Sequence, residues 1–324
     1  MDDFKYNYVV VGGSNYYEVA YANLLSLPNV AYFKSYLDGI KSNVIKILLR
    51  INFNLHLNKY IPTPFRKIVF PLLFQHHFSN DKPICFIFFE SQFAIYNTRY
   101  IEYLKRKYPG SKFVLYMQDL VSSLPYYDIN SYKYRFDLIF SYDKGDCKKY
   151  SLHYFPTPYS YYNISNLDKK ESIDVYFCGA GKTRYKAIFE VYKRCVREKL
   201  KCKFFITGVP KSERIQGEGL IYDCPITYIE NLSYVAASKC VLEIMQENAD
   251  GYSLRLWEAM MYNKHLLTNN HHIINSDFYF KEFIHFVSET KPFDNWINTQ
   301  VCYPESLRES KSPIWLLREI ENLI

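Results

Sequence analysis

Asp250-Gly-Tyr-Ser-Leu-Arg-Leu-Trp-Glu258, running on through Ala259-Met-Met-Tyr-Asn-Lys-His-Leu-Leu-Thr268, decides how this chain is read. The run sets an acid, a glycine, a serine, an arginine and a second acid in a turn and the opening of a helix, which then leads into a short apolar strand. The first N–H groups of a helix lack intrahelical partners and carry partial positive charge, so such a turn suits an anion. Arg255 is placed to add a bidentate contact to a phosphate, and Glu258 to accept hydrogen bonds from a ribose diol. The same residues also make an ordinary capped helix, with Ser253 as its cap and Arg255 paired with Glu258 on its surface.

Outward from this run, apolar strands alternate with amphipathic stretches, the pattern of βα units around a parallel sheet. In the first half, strands are expected at Tyr8–Val11, Val30–Phe33, Ile84–Phe89, Lys112–Met117 and Leu138–Ser141, with helices at Tyr17–Leu25, Asn97–Lys107 and Lys144–Tyr150. Phe155-Pro-Thr-Pro-Tyr159 continues neither a helix nor a central strand, because its prolines fix φ and remove donors. A domain of residues 1–158 therefore ends there, followed by a polar linker at 159–172. The second domain, 173–311, restarts with a buried strand at Asp174–Cys178, a helix at Arg184–Leu200 and strands at Lys203–Thr207, Gly219–Tyr222 and Val241–Met245, with a helix near Asn231–Ser238. Residues 312–324 read as a closing helix, free to return to the first domain.

Composition bounds the class. At 324 residues, with 48% hydrophobic and 23% charged residues, the chain has enough apolar material for two ordinary globular cores and is not expected to be disordered. Its 33 Tyr and 24 Phe come with many Lys, Asn and Ile, as in a chain from an AT-rich genome, so they are not taken as a sugar-stacking signature. A net charge of +7 suits phosphates or an anionic membrane surface and does not demand nucleic acid, which is not expected as a partner. Eight cysteines form no C-x-x-C pair and read as reduced thiols. No signal-peptide pattern and no membrane-spanning apolar run is present, so the expected compartment is the cytoplasm.

Several constellations bear on chemistry. Gly179-Ala-Gly-Lys-Thr183 invites a P-loop, but G-x-x-x-x-G-K-[ST] ending at Thr183 needs glycine where Tyr176 stands. What survives is a strand ending in Gly179 and Gly181, with Lys182 and Arg184 on the same turn, suited to gripping a diphosphate together with the Ser253–Arg255 turn. A plain βα turn with solvated Lys and Arg accounts for the same residues. Val9-Val-Val-Gly-Gly-Ser-Asn15 places Gly12 and Gly13 where a ligand can approach the backbone, but lacks G-x-G-x-x-G. Glu90 and Asp119 close first-half strands and are candidate general bases, if burial raises either toward neutrality. Each serves equally as a cap or a solvated loop acid. The pairs His76-His77 and His271-His272 do not make a metal site by themselves, and none is expected. Residues 40–75 are rich in Ile, Leu and Phe and carry six Lys and Arg with no acid, which suits either an anionic membrane surface or a packed helix pair with a basic rim.

Asp250-x7-Glu258 resembles the E-x7-E signature of GT-B glycosyltransferases, and Ser253-Leu-Arg-x-x-Glu-Ala259 is similar to bacterial transferases that build capsule, exopolysaccharide and lipopolysaccharide. Phe177-Cys-Gly-Ala-Gly-Lys-x-Arg184 is similar to their phosphate-facing turn, and Phe136-Asp-Leu-Ile-Phe-Ser-Tyr-Asp-Lys144 to the end of their first domain. The resemblance covers roughly residues 136–270. It implies an α/β GT-B fold of two Rossmann-like domains with parallel sheets facing across a cleft, an acceptor side in the first and a nucleotide-sugar donor in the second. In that frame Glu258 binds the ribose, and Ser253, Leu254, Arg255 and Lys182 meet the diphosphate. Gly208 borders the nucleotide, and the Pro225–Tyr228 loop, with Ile226, meets the base. Asp250 stands where retaining members use a glutamate to contact the sugar, with Glu247 as its possible substitute.

The resulting expectation is a glycosyltransferase needing no cofactor or metal, using a UDP- or GDP-sugar and a glycan acceptor carried on lipid at the inner membrane face. A nucleotide- or NAD-dependent oxidoreductase or epimerase, resting on the Gly12-Gly13 turn, is the alternative. A non-catalytic nucleotide- or glycan-binding protein is the third reading.

Overall fold

The strands of both halves are apolar at nearly every position rather than at alternate ones, as parallel sheets covered on both faces require. A computed structural model describes residues 3–12, 15–54, 66–89, 98–123, 128–131, 133–165, 171–246, 251–290 and 292–324. They fall into two units, Met1–Pro158 with Pro313–Ile324, and Tyr159–Ser312.

The first unit holds strands β1 (Asn7–Val11), β2 (Val30–Phe33), β3 (Ile84–Phe89), β4 (Lys112–Met117), β5 (Leu138–Ser141) and β6 (His153–Tyr154), ordered β2-β1-β3-β4-β5-β6. All five pairings are parallel. Helices α1 (Asn43–Asn52), α2 (Thr98–Lys107) and α3 (Lys144–Tyr150) belong to this unit. Leu49 of α1 and Ile101 and Leu104 of α2 join the core built on β1, β3 and β4. The expected helix over Tyr17–Leu25 is two short ones, Asn15–Ala20 and Ala22–Leu25, broken at Tyr21.

The second unit holds β7 (Ile173–Ala180), β8 (Cys202–Thr207), β9 (Leu220–Tyr222), β10 (Ser238–Glu243), β11 (His265–Thr268) and β12 (Ile284–Phe286), ordered β12-β11-β10-β7-β8-β9 and again paired in parallel. Numbered from its own first strand, this sheet runs 3-2-1-4-5-6, the doubly wound dinucleotide-fold order. Its helices include α4 (Tyr185–Arg197), α5 (Tyr228–Ala237) and α6 (Leu254–Met261). Strand β7 runs past the expected end at Cys178, because Gly179 and Ala180 still pair with Ile206 and Thr207 of β8.

The closing helix α7 (Ile314–Leu323) belongs to the first unit. Its Glu321 accepts from the backbone N–H of Lys5 at 2.5 Å and the Tyr8 hydroxyl at 2.8 Å, and Arg318 lies over the Phe4 ring at 4.4 Å. In open α/β sheets, ligands sit outside the carboxyl ends of the strands where the order reverses. That reversal falls between β1 and β3 in the first unit and between β7 and β10 in the second.

Candidate functional site

At the β7–β10 reversal two arginines meet. Arg184, at the start of α4, donates from Nε to the Ala180 carbonyl (2.8 Å) and from Nη1 to the Ile244 carbonyl (2.6 Å), so its guanidinium spans the two strand ends. Arg255, in the first turn of α6, donates from Nη2 to the Cys178 carbonyl and lies 5.0 Å from the Phe177 ring centre. A Cβ at position 179 would collide with that Nη2, so Gly179 is the residue that lets Arg255 reach β7. Burial and the neighbouring Arg255 lower the Arg184 pKa to about 10, while Glu243 acts in the opposite direction. Two cations close enough to feel one another, partly withdrawn from water, form a place where an anion is favoured.

Glu243 closes β10 and is buried. It accepts from Ser253 Oγ at Oε1 and from Thr268 Oγ1 at Oε2, both at 2.5 Å. Thr268 is its register partner on β11, so the strand pairing itself brings this hydroxyl to the carboxylate. Ser253 also caps α6 by accepting from the Arg255 N–H at 3.2 Å. One carboxylate therefore fixes the residue that opens the helix carrying Arg255. The approach to that helix is fastened as well, through Asn269 Oδ1 accepting from Met245 N (2.8 Å) and Asn270 Nδ2 donating to Gly251 O (3.2 Å).

One turn beyond Arg255, Glu258 is buried rather than paired on the helix surface. Its Oε1 accepts from the Tyr228 hydroxyl (2.8 Å) and Asn231 Nδ2 (2.9 Å), both on α5. The chain extends outward, with the Tyr228 and Tyr159 hydroxyls 2.6 Å apart and Tyr176 donating to Asn231 Oδ1 at 2.9 Å. Burial raises the Glu258 pKa, against the pull of Arg255 and the two donors. Burial pushes the Cys178 thiol up, against the pull of Arg255, whose guanidinium holds the Cys178 carbonyl.

The remaining sequence candidates are distributed as follows. Gly181 donates its N–H to Thr207 O (2.8 Å), and a Cβ there would meet Val209 at 2.6 Å, so this glycine serves packing and its amide is satisfied within the sheet. Lys182 is exposed, with φ +42°. Leu254, half-buried, is the first residue of α6. Gly208 has φ +69° and donates to Asp223 Oδ1 at 3.2 Å, and Asp223 pairs with Arg214. Ile226 is half-buried immediately before Thr227, which caps α5 in a capping box with Glu230. In the first unit, Asp119 is exposed just beyond β4, and Gly12 lies under the Phe89 and Tyr17 rings, which a Cβ would meet at 3.0 and 3.3 Å. Glu90, Gly13, Asp250 and Glu247 lie outside the described residues. Among the described residues no group of His, Cys, Asp or Glu is arranged to hold a metal ion.

Sequence reading alone passes over Glu243, Thr268 and Asn231. The usable signal was one carboxylate closing the otherwise apolar Cys240-Val-Leu-Glu243, a position where an unpartnered acid is costly.

No family model and no curated protein matches this sequence. Among solved structures, the chain is similar to Anabaena HepE in complex with UDP and glucose, at 12% identity over 97% of this chain and 98% of that one, with a TM-score of 0.52. It is also similar to the sucrose-phosphate synthase of Thermosynechococcus elongatus (9% identity, 98% of each chain, TM-score 0.47) and to an α-glucosyltransferase bound to UDP and DNA (12% identity, 97% and 90%, TM-score 0.46). At such identity the likeness is one of fold, and the fold is GT-B, two Rossmann-like units in one chain.

Proposed function

We propose that this chain is a glycosyltransferase that takes a sugar from a nucleotide diphosphate sugar and passes it to a lipid-linked surface glycan at the inner face of the cell membrane. The observation that carries the reading is the seating of Arg184 and Arg255 on the Ala180 and Cys178 carbonyls of one strand at the β7–β10 reversal, beside the capped start of α6. As the glycosidic bond breaks, negative charge gathers on the departing diphosphate. Fixed guanidiniums and a helix N-terminus stabilise that charge without reorganising. Lys182, exposed on the turn after β7, is assigned to the same diphosphate, with Ser253 and Leu254. Among the described residues the donors Tyr228 and Asn231 both go to Glu258 Oε1, and Oε2 is assigned to the ribose diol. Gly208 and Ile226 are assigned to the nucleoside side. Asp119, Glu90 and Asp250 remain the candidates for the acceptor base and the sugar contact. Because HepE was solved with UDP, UDP is the first nucleotide to test, with GDP second.

A thermal-shift series with UDP, GDP, CMP, TDP and NAD tests this directly, since a ligand at about 100 times its Kd stabilises the native state by about 2.7 kcal/mol. A shift with one nucleoside diphosphate, lost in Arg255→Ala, is expected. A shift with NAD that survives Arg255→Ala would overturn the reading in favour of a dinucleotide enzyme of the first unit. Nucleotide binding without sugar transfer to any lipid-linked glycan would leave a binding protein. We further propose that the guanidiniums supply the charge a cation would bring, so turnover should persist in EDTA; loss in EDTA with recovery in Mg²⁺ would refute that part.

A further inference from the structure

Helix α1 has two apolar faces, and only one is explained by packing. Leu49 and Asn52 are buried, and Ile45 packs on the first unit's core. Val44, Ile47, Leu48 and Ile51 follow one another at i, i+3, i+4 and i+7, the spacing of a single helix stripe. They are nevertheless 46–67% exposed. Ile68 is 69% exposed in the short helix Arg66–Val69, whose Val69 joins the same core. Single exposed aliphatics are ordinary on a protein surface, whereas a continuous stripe marks an interaction site.

The charge around the stripe narrows the partner. Exposed Lys41 precedes the helix and exposed Arg50 borders Ile47 on its surface, and no acidic residue occurs between Asp38 and Asp81. A second copy of the same face would set cation against cation, which opposes association. An anionic lipid surface meets both demands, with headgroup phosphates for the cations and the acyl boundary for the aliphatics. At ten residues α1 is about 15 Å long, half the bilayer core, and no helix among the described residues is long and apolar enough to cross a membrane.

We infer that the Val44–Ile47–Leu48–Ile51 stripe of α1 lies in the interfacial layer of an anionic bilayer, with Lys41 and Arg50 against lipid phosphates. This deepens the reading of a lipid-linked acceptor and rests on it for its purpose, but the binding is measurable without any sugar transfer. The test is co-sedimentation of the full chain with phosphatidylcholine vesicles, with and without phosphatidylglycerol, beside a UDP thermal shift on the same samples. Binding only to the phosphatidylglycerol vesicles, weakened by salt, is expected. Ile47→Ser with Leu48→Ser should weaken it about tenfold through lost apolar insertion, and Lys41→Gln with Arg50→Gln by about thirtyfold, since each surface cation contributes about a fivefold factor. The inference is overturned if the wild-type chain stays in solution with phosphatidylglycerol vesicles at low salt, or if the serine pair sediments like wild type. It is equally overturned if light scattering shows a dimer that the serine pair dissociates. A normal UDP shift with no vesicle binding sinks this inference alone, and vesicle binding with no nucleotide shift sinks the donor reading alone.

Discussion

The two units share a parallel, six-stranded plan and differ most where their strand order reverses. Between β1 and β3 the first unit is filled with rings: Tyr17 and Phe89 stack at 5.0 Å, Tyr21 lies 4.5 Å from Phe89, and Gly12 is pressed beneath them. Between β7 and β10 the second unit gathers Arg184, Arg255, Glu243 and Ser253, with Glu258 one turn further along α6. Aromatic filling lowers the free energy of folding directly. A half-buried arginine pair and two buried carboxylates do the reverse unless every group finds a partner. Each of these groups does find a partner, but topology does not require the second arrangement, and the proposed diphosphate ligand would give it a purpose. The proposed site therefore lies at the β7–β10 end, and the β1–β3 end is, at Gly12, a packed corner.

The strongest way to break that contrast is to remove Arg255. A charge-assisted bond to phosphate is worth about 1.5–3 kcal/mol, so Arg255→Ala should weaken nucleoside diphosphate binding by about tenfold to a hundredfold in titration calorimetry. Gly179→Ala sharpens the result, because it adds only a methyl group. That methyl occupies the place of Arg255 Nη2, the end of a flexible side chain that can swing away. The fold should survive with affinity lowered in the same direction. Wild-type affinity in Gly179→Ala would show that the seat of Arg255 on β7 is irrelevant to the ligand.

Glu258→Gln should cost less in binding and carries an opposite sign in stability. The glutamine can still accept from Tyr228 and Asn231, but offers an N–H to the ribose diol where an acceptor stood, a loss of about tenfold in nucleotide affinity. Burial raises the Glu258 pKa, so the native state holds its proton to higher pH than the unfolded chain. Its contribution to stability is whole below the ordinary carboxylate range and is lost as pH rises through the folded value. The Tm of Glu258→Gln relative to wild type should accordingly climb as pH rises above the ordinary carboxylate range. A flat difference would mean that Glu258 does not titrate as a buried acid.

How far such features are legible in sequence depends on how local their causes are. Strands β1, β3 and β4 stand out because a parallel strand buried on both faces reads as a nearly continuous apolar run, as in Ile84-Cys-Phe-Ile-Phe-Phe89. The short β6 and β12 offer too few residues for any period to emerge. Arg184 and Arg255 can each be named from a turn motif, yet their meeting depends on β7 and β10 being neighbours, which no local pattern encodes. Glu243 is harder still, because its partners Ser253 and Thr268 lie 10 and 25 residues away. For α1 the sequence carries apolar and basic residues together, and only the packing of Leu49 against the core decides which apolar stripe is left outside.

Gly12→Ala tests the quieter side of the contrast. Its Cβ would stand 3.0 Å from Phe89 Cδ2 and 3.3 Å from Tyr17, rings stacked on one another and each packed against Tyr21, so neither can move aside cheaply. Overpacking of this kind costs about 1–3 kcal/mol, readable as a lower denaturation midpoint. Nucleoside diphosphate affinity should stay unchanged, since the proposed arginine site is built from residues of the second unit. If Gly12→Ala instead spared stability and abolished nucleotide binding, the glycine would be serving a ligand at the β1–β3 end, and the assignment of the two reversals would have to be exchanged.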